Sequence, residues 1–219
     1  MRTFAIASLL AAPLWAGAAT NLITNGSFED GLSGWTVSGS VGDIYPATVI
    51  TYNNASAYPT GAFGEAVPTD SAINLSPDAV GSQALYFVSD FSTQVVSQTF
   101  TVPTAGTYAF GLDVYLPANG FANSVDATLG ITLGSSNFGT YPLSSFTATT
   151  WTPGATSVNL AAGTYTVALA FTSAGMPAKD IVIDRVYLVS SVPEASTTAM
   201  LIAGIACLGF IAARRKTPR

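Results

Sequence analysis

The stretch VVSQTFTVPTAGTYAFGLDVYL, residues 95–116, decides the fold. Val96, Gln98, Phe100 and Val102 fall on one face of an extended chain, and Ser97, Thr99 and Thr101 fall on the other. Pro103-Thr104-Ala105-Gly106 supplies a turn. The chain then resumes with Tyr108, Phe110, Leu112, Val114 and Leu116 on one face. A period of two over two successive runs joined by a tight turn is the pattern of half-buried strands and not of helices. The same alternation recurs downstream. Val125, Ala127, Leu129, Ile131 and Leu133 share a face in Val125–Leu133, as do Tyr165, Val167, Leu169 and Phe171 in Thr164–Thr172. Further strands are predicted at Trp35–Ser38, Ile44–Tyr52, Gln83–Ser89, Phe146–Trp151, Ser157–Leu160 and Ile181–Val189. Turns rich in Gly, Pro and Asn separate them. About ten strands with no convincing helix between them predict an all-β fold, an antiparallel β-sandwich or barrel.

Two segments depart from this rhythm. Asn21–Trp35 (NLITNGSFEDGLSGW) offers Leu22, Ile23 and Phe28 as apolar residues of a first strand, interrupted by the Asn25-Gly26 turn signal. Trp35, opening a strand after Gly34, reads as a core residue. Asn53–Ser82 contains Pro59, Pro68, Pro77, Gly61, Gly64 and Gly81 and has no sustained periodicity. A loop this long in a compact domain is uncommon and is often functional. The alternative is a surface excursion without a role.

The two ends read as addresses rather than as fold. Arg2 followed by apolar Phe4–Trp15 and by Ala16-Gly17-Ala18 has the layout of a secretory signal peptide covering residues 1–19. The tail, residues 191–219, holds Val192-Pro193-Glu194, then 19 uncharged residues from Ala195 to Ala213, then Arg214, Arg215 and Lys216. As a helix that run would reach roughly 28 Å, near the ~30 Å of a hydrocarbon core. It predicts a C-terminal transmembrane helix whose basic cluster stays cytoplasmic as a membrane stop. Between the ends lies one domain, residues 20–190, with a surface for a sizeable core.

That order of motif, apolar run and basic end resembles the PEP-CTERM sorting signal of exopolysaccharide-producing Gram-negative bacteria, with Ala195 in place of the usual second proline. The resemblance implies export across the inner membrane and recognition of Val192, Pro193 and Glu194 by an exosortase. The product would then be at the cell surface or secreted after C-terminal processing. An ordinary C-terminal anchor is the alternative.

Composition removes several chemistries. The sequence has no histidine, and its one cysteine, Cys207, lies in the apolar tail. The domain therefore has no disulfide, no thiolate nucleophile, no His/Cys zinc site and no Ser-His-Asp triad. Within residues 21–190 eleven acidic residues face only Lys179 and Arg185. Such a surface repels nucleic acid and anionic lipid and tolerates neutral glycans and divalent cations. No acid pair is marked by spacing as catalytic, so no catalytic residue is assigned and the protein is not expected to be an enzyme. A polysaccharide-active enzyme, needing two carboxylates, is the remote alternative.

Ile181–Val189 carries the most informative charge. Strict alternation puts Val182, Asp184, Val186 and Leu188 on one face and Ile181, Ile183, Arg185, Tyr187 and Val189 on the other. Both faces are largely apolar, so Asp184 is expected in an apolar layer, needing a cation, donors or protonation, with Arg185 directed away from it.

NGSFE and GW near the start, GSQALYF, SQTFTVPTAGTY, and IDRV at the end are together similar to the galactose-binding-like jelly rolls, which include carbohydrate-binding modules. The resemblance implies a jelly-roll sandwich that associates with exopolysaccharide or another glycan. It also implies a structural calcium between Glu29 and Asp184, although Arg185 stands where such families often carry a second acid. Hydrogen bonding of both carboxylates to backbone amides is the alternative. Tyr45, Tyr52, Tyr58, Phe63, Tyr115, Tyr141 and Trp151 are the aromatic candidates for a sugar platform. Spacing distinguishes no subset, so the ligand-binding residues remain unassigned. A purely structural matrix or floc protein without a glycan ligand fits the same features.

Overall fold

The computed structural model describes residues 20–39, 44–70, 73–88, 93–118, 127–173 and 180–191. The expected signal peptide, the Val192-Pro193-Glu194 motif, the apolar run expected to span the membrane, and Arg214, Arg215 and Lys216 all lie outside these residues. So does Val125 at the head of its expected strand. Among the described residues no helix is long and apolar enough to cross a membrane.

Ten strands form two antiparallel sheets. They are β1 (Thr36–Gly39), β2 (Thr48–Thr51), β3 (Gln83–Phe87), β4 (Thr93–Val102), β5 (Gly106–Tyr115), β6 (Thr128–Leu133), β7 (Ser136–Pro142), β8 (Thr152–Leu160), β9 (Gly163–Thr172) and β10 (Ile181–Ser190). One sheet has the order β1-β4-β9-β6-β7 and the other β2-β3-β10-β5-β8. The alternating faces meet between them. Val96, Phe100 and Val102 of β4, Phe110, Leu112 and Val114 of β5, Leu129 and Ile131 of β6 and Leu169 and Phe171 of β9 form the core, with Trp35 among them. Each large side chain fully buried there contributes about 1.5–3 kcal/mol. Gln98, expected on the apolar face of β4, is buried on it. Its amide satisfies both backbone groups of Thr24, accepting from N at 2.7 Å and donating to O at 2.8 Å.

Three strand expectations are corrected. Phe146–Trp151 is not a strand: a 3-10 turn at Leu143–Ser145 precedes it, and only Ala148 bridges, to Leu116. The pairing is made instead by β7, an edge strand exposed on most of both faces, which therefore carries no alternation. β8 starts earlier than Ser157 and includes Pro153, which an edge strand tolerates because one side of its backbone needs no partner. Asn21–Trp35 forms turns and one isolated bridge, Asn21 to Val189.

The largest correction is in β10. Asp184 pairs with Asp113, yet Tyr187 pairs with Gly111, so three residues of β10 span two of β5. The extra residue is Arg185, at φ 50°. This β-bulge shifts the alternation by one position. Ile181, Ile183, Val186 and Leu188 all face the inter-sheet core, whereas Val182 belongs to a second apolar cluster on the opposite face. The bulge also changes neighbours. Before it, Ile181–Ile183 pair with β3. After it, the N-terminal segment takes over that side, with Leu22 N donating to Leu188 O at 2.9 Å and Val186 N donating to Gly26 O at 2.8 Å.

The segment between β2 and β3 is a roof. Its Ala62 and Val67 pack with Ile50, Tyr52, Ala84, Tyr86, Tyr115 and Val182 on the outer face of the β2-β3-β10-β5-β8 sheet. It is tied down by Trp151 Nε1 donating to Pro68 O at 2.8 Å and by Glu65, which accepts from Tyr115 Oη at 3.1 Å and Ala118 N at 2.6 Å.

Candidate functional site

Beneath that roof lies a polar cluster that the alternation alone does not reveal. Asp113 on β5 and Asp184 on β10 are register partners on the outer face, and both are 0% exposed. Asp70 comes down from the roof and is also buried. Asp184 Oδ2 accepts from Tyr52 Oη at 2.5 Å and its Oδ1 accepts from Arg185 N at 2.6 Å. Burial pushes the Asp184 carboxyl up to about 9, with Asp70 and Asp113 adding to the shift and the two hydrogen bonds opposing it. Burial also pushes Asp113 up to about 8, with neighbouring Asp70 acting in the same direction and Asn74 and Arg185 against it. Neither oxygen of Asp113 makes a hydrogen bond of normal geometry. At neutral pH the pair is therefore held largely protonated, which is the least costly state for carboxyl groups out of water. Tyr52 is raised for the same reason, by burial and by the charge and hydrogen bond of Asp184.

The bulge brings Arg185 under the roof as well. Its Nη2 donates to Ser76 O at 2.9 Å, with longer contacts to Asn74 O at 3.4 Å and Asp78 O at 3.5 Å. Asn74 Nδ2 returns a bond to Arg185 O at 3.0 Å. The expectation that Arg185 is directed away from Asp184, onto the opposite face, is corrected by the bulge, which sets its guanidinium under the roof where its charge acts on Asp113. The guanidinium's role here is to hold the roof by its carbonyls, which accept readily from a charged donor.

Glu29 sits elsewhere. Its Oε1 accepts from Ser82 N at 2.8 Å and Gln83 N at 2.7 Å, its Oε2 from Ser82 Oγ at 3.1 Å, and its carbonyl from Gln83 Nε2 at 3.0 Å. It pins the start of β3. Gly81, at φ 72°, leaves room for it, because a Cβ there would lie 2.1 Å from the Glu29 carboxyl carbon. Glu29 and Asp184 share no hydrogen-bond partner. Each carboxylate accepts from a backbone N–H and from a hydroxyl. Among the described residues no group of three His, Cys, Asp or Glu could hold a metal ion.

The aromatic candidates divide into three groups. Tyr52 and Tyr115 are buried and pack on Trp151, with centroids at 5.9 and 5.4 Å. Tyr141 lies beside Phe146 at 6.5 Å. Tyr45, Tyr58 and Phe63 form a patch on and beside the roof. Tyr58 and Phe63 stack at 6.2 Å and 16°, and Tyr45 meets both edge-on, at 5.3 and 5.7 Å. Phe63 is 43% exposed. Its φ is 49° and that of Gly64 is 92°, in a tight turn closed by the Ala62–Glu65 bridge. A bulky aromatic in the left-handed region is rare and strained.

No protein-family model and no curated protein matches the chain. Solved structures do match it. TmCBM61, in complex with β-1,4-galactotriose, superposes with a TM-score of 0.51 at 19% identity, covering 78% of this chain and 99% of that one. The fold is a jelly roll. The Stig cyclase Fisc from Fischerella sp. TAU, in complex with an indole compound, superposes at 0.50 with 12% identity over 79% of this chain and 98% of that one. A family 16 carbohydrate-binding module matches over 78% of this chain and all of that one, at 18% identity and a TM-score of 0.45. The likeness is one of architecture, an antiparallel two-sheet sandwich.

Sequence reasoning missed Asp70, Asp113 and the hydroxyl of Tyr52. Asp113 stands off the apolar face of β5, where it reads as solvent-facing. The available signal was its neighbour Tyr115 together with a second largely apolar face on β10, which imply a covered sheet.

Proposed function

We propose that this is an exported, non-catalytic glycan-binding protein of the cell surface or extracellular matrix. The roof presents Tyr45, Tyr58 and Phe63 to neutral polysaccharide. The observation that carries this reading is Phe63, an exposed ring held in a strained backbone, stacked on Tyr58 and met edge-on by Tyr45. Local strain is retained where function uses the geometry it creates. Aromatic faces of this kind bind the apolar faces of sugar rings. The acidic balance of the domain favours a neutral ligand over an anionic one. Non-catalysis fits the placement of Asp113 and Asp184, which are closed to substrate beneath the roof.

Affinity electrophoresis through gels containing β-1,4-galactan or the producing cell's exopolysaccharide tests the reading. The galactan follows from the galactotriose bound by TmCBM61. The wild-type domain should be retarded, and Phe63→Ala should bind about tenfold more weakly, equivalent to ~1.4 kcal/mol, with an unchanged circular dichroism spectrum. A folded wild-type domain retarded by no polysaccharide would leave the purely structural matrix role.

Delivery is the second part of the proposal. Val192-Pro193-Glu194 would be recognised by an exosortase, with the apolar run Ala195–Ala213 and Arg214, Arg215 and Lys216 holding the tail in the inner membrane until processing. Pro193→Ala should accumulate an unprocessed precursor in the inner-membrane fraction on immunoblots. Surface display equal to wild type in that variant would overturn exosortase sorting.

A further inference from the structure

The last strands of the two sheets, β7 and β8, do not close over each other. β8 pairs with β5 so that Thr152, Gly154 and Thr156 lie opposite Val114, Leu112 and Phe110. Opposite residues of an antiparallel pair share a face, so these three point toward the inter-sheet space. The other inner faces fill that space with large apolar side chains. Here β8 supplies two hydroxyls and no side chain at all at Gly154. The result is a cleft of about 200 Å³ between β8 and the β6-β7 edge.

The cleft opens to solvent where Gly154, Thr156 and Tyr141 are exposed, and its floor is the buried apolar face of Phe110, Leu112, Leu129 and Ile131. Its far wall is aromatic. Phe138 stacks on Phe110 at 5.1 Å and 16°, and Tyr141, 39% exposed, stands with Phe146 at the edge. Among the described residues no charged one lines it, and the side-chain hydroxyls that do are those of Thr152, Thr156 and Tyr141.

We infer that this cleft is a binding site for a small neutral compound, a single aromatic ring or a short alkyl group carrying one hydroxyl or carbonyl. The volume is near that of an apolar cavity of roughly 150 Å³ that takes up benzene, and it is below the roughly 300–1,000 Å³ of sites for larger ligands. The neutral lining excludes a carboxylate or ammonium, whose desolvation would go unanswered. A sugar is excluded as well, since its ring of hydroxyls would meet mostly carbon. The site is separate from the Tyr45–Tyr58–Phe63 patch and shares no residue with it.

Ligand-observed NMR and isothermal titration with p-cresol, using benzoate as the charged counterpart, test the inference on the intact domain. Eight heavy atoms in such a cleft correspond to a dissociation constant of about 0.1–1 mM. Benzoate should bind at least tenfold more weakly. Gly154→Leu should abolish p-cresol binding. A Cβ at this position meets only Leu112 O at 3.6 Å, so the backbone accepts a side chain that then fills the cleft. Thr156→Leu fills the same face should the first variant fail to fold. Phe63→Ala should leave p-cresol binding unchanged, which keeps this site distinct from the glycan patch. No p-cresol binding by the wild-type domain, or undiminished binding in a folded filled variant, would overturn the assignment.

Discussion

Raising the pH from 5 to 8 should destabilise the folded domain, and Asp184 is expected to account for much of the loss. Its carboxyl titrates near 9 in the folded chain against 3.8 for the unfolded group. The folded state thus keeps a proton that the unfolded state gives up near pH 4. Stability associated with this group is fully present below pH 4 and is lost as the pH rises toward 9. Asp113, raised to about 8, acts with the same sign. One group held fully protonated contributes a slope of about 1.4 kcal/mol per pH unit. Allowing for partial solvent access on local opening, the loss between pH 5 and pH 8 should be roughly 2–4 kcal/mol. Urea denaturation at a series of pH values measures it. Asp184→Asn keeps an acceptor for Arg185 N, and its Nδ2 donates to Tyr52 Oη in a reversed bond, so it should flatten the slope and stay within about 1 kcal/mol of wild type at pH 5. Asp184→Ala leaves Tyr52 Oη without its partner under the roof and should cost about 2–4 kcal/mol at pH 5, a deficit that shrinks toward pH 8 as wild type loses its own stability. If Asp184→Asn were as damaging as Asp184→Ala and kept the wild-type slope, the carboxyl would have to be charged in the folded state.

Gly26→Ala should be the most damaging single methyl addition to the N-terminal segment. A Cβ on Gly26 would lie 1.9 Å from Val186 O and 3.0 Å from Val186 C. Both are backbone atoms of β10 just past the bulge, so no side-chain rotation relieves the collision. The segment would have to lift, breaking the bond from Val186 N to Gly26 O and straining those between Asn21 and β10. Overpacking of this kind costs about 1–3 kcal/mol, and each broken bond about 1 kcal/mol more. A total loss of roughly 3–5 kcal/mol is expected in chemical denaturation, with faster amide exchange at Val186 and Leu188. Stability within about 0.5 kcal/mol of wild type would mean that the segment does not dock against β10.

Much of the sandwich was legible because it obeys a local rule. β4, β5, β6 and β9 each alternate, and the apolar residues named from that alternation meet in the core, with Trp35 beside them. What escaped depends on neighbours that alternation does not encode. β7, with Ser136, Asn137, Gly139 and Pro142, has no buried stripe because it is an edge strand, held by ladder pairing with β6 and by Phe138 stacked on Phe110. The bulge at Arg185 inserts one residue into an otherwise regular run, and every face assignment after it is inverted. Val186 and Leu188 therefore exchange sides with Tyr187 relative to expectation. The candidate site suffered most. Asp184 was recognisable as a buried carboxylate, but its partner Tyr52 is 132 residues away. Its acidic neighbours become neighbours only through the register of β5 with β10 and the descent of the roof.

The seclusion of Arg185 bears on how the sandwich resists proteolysis. Trypsin-like proteases cut after lysine or arginine, and between residues 20 and 190 the chain offers only Lys179 and Arg185. Arg185 is 4% exposed, with its guanidinium on the carbonyls of the roof and its peptide bond inside a sheet. That cleavage point becomes available only once the roof lifts and β10 parts from β5. The same bulge that steers Arg185 under the roof thereby withdraws one of the two points between residues 20 and 190 at which such a protease could cut.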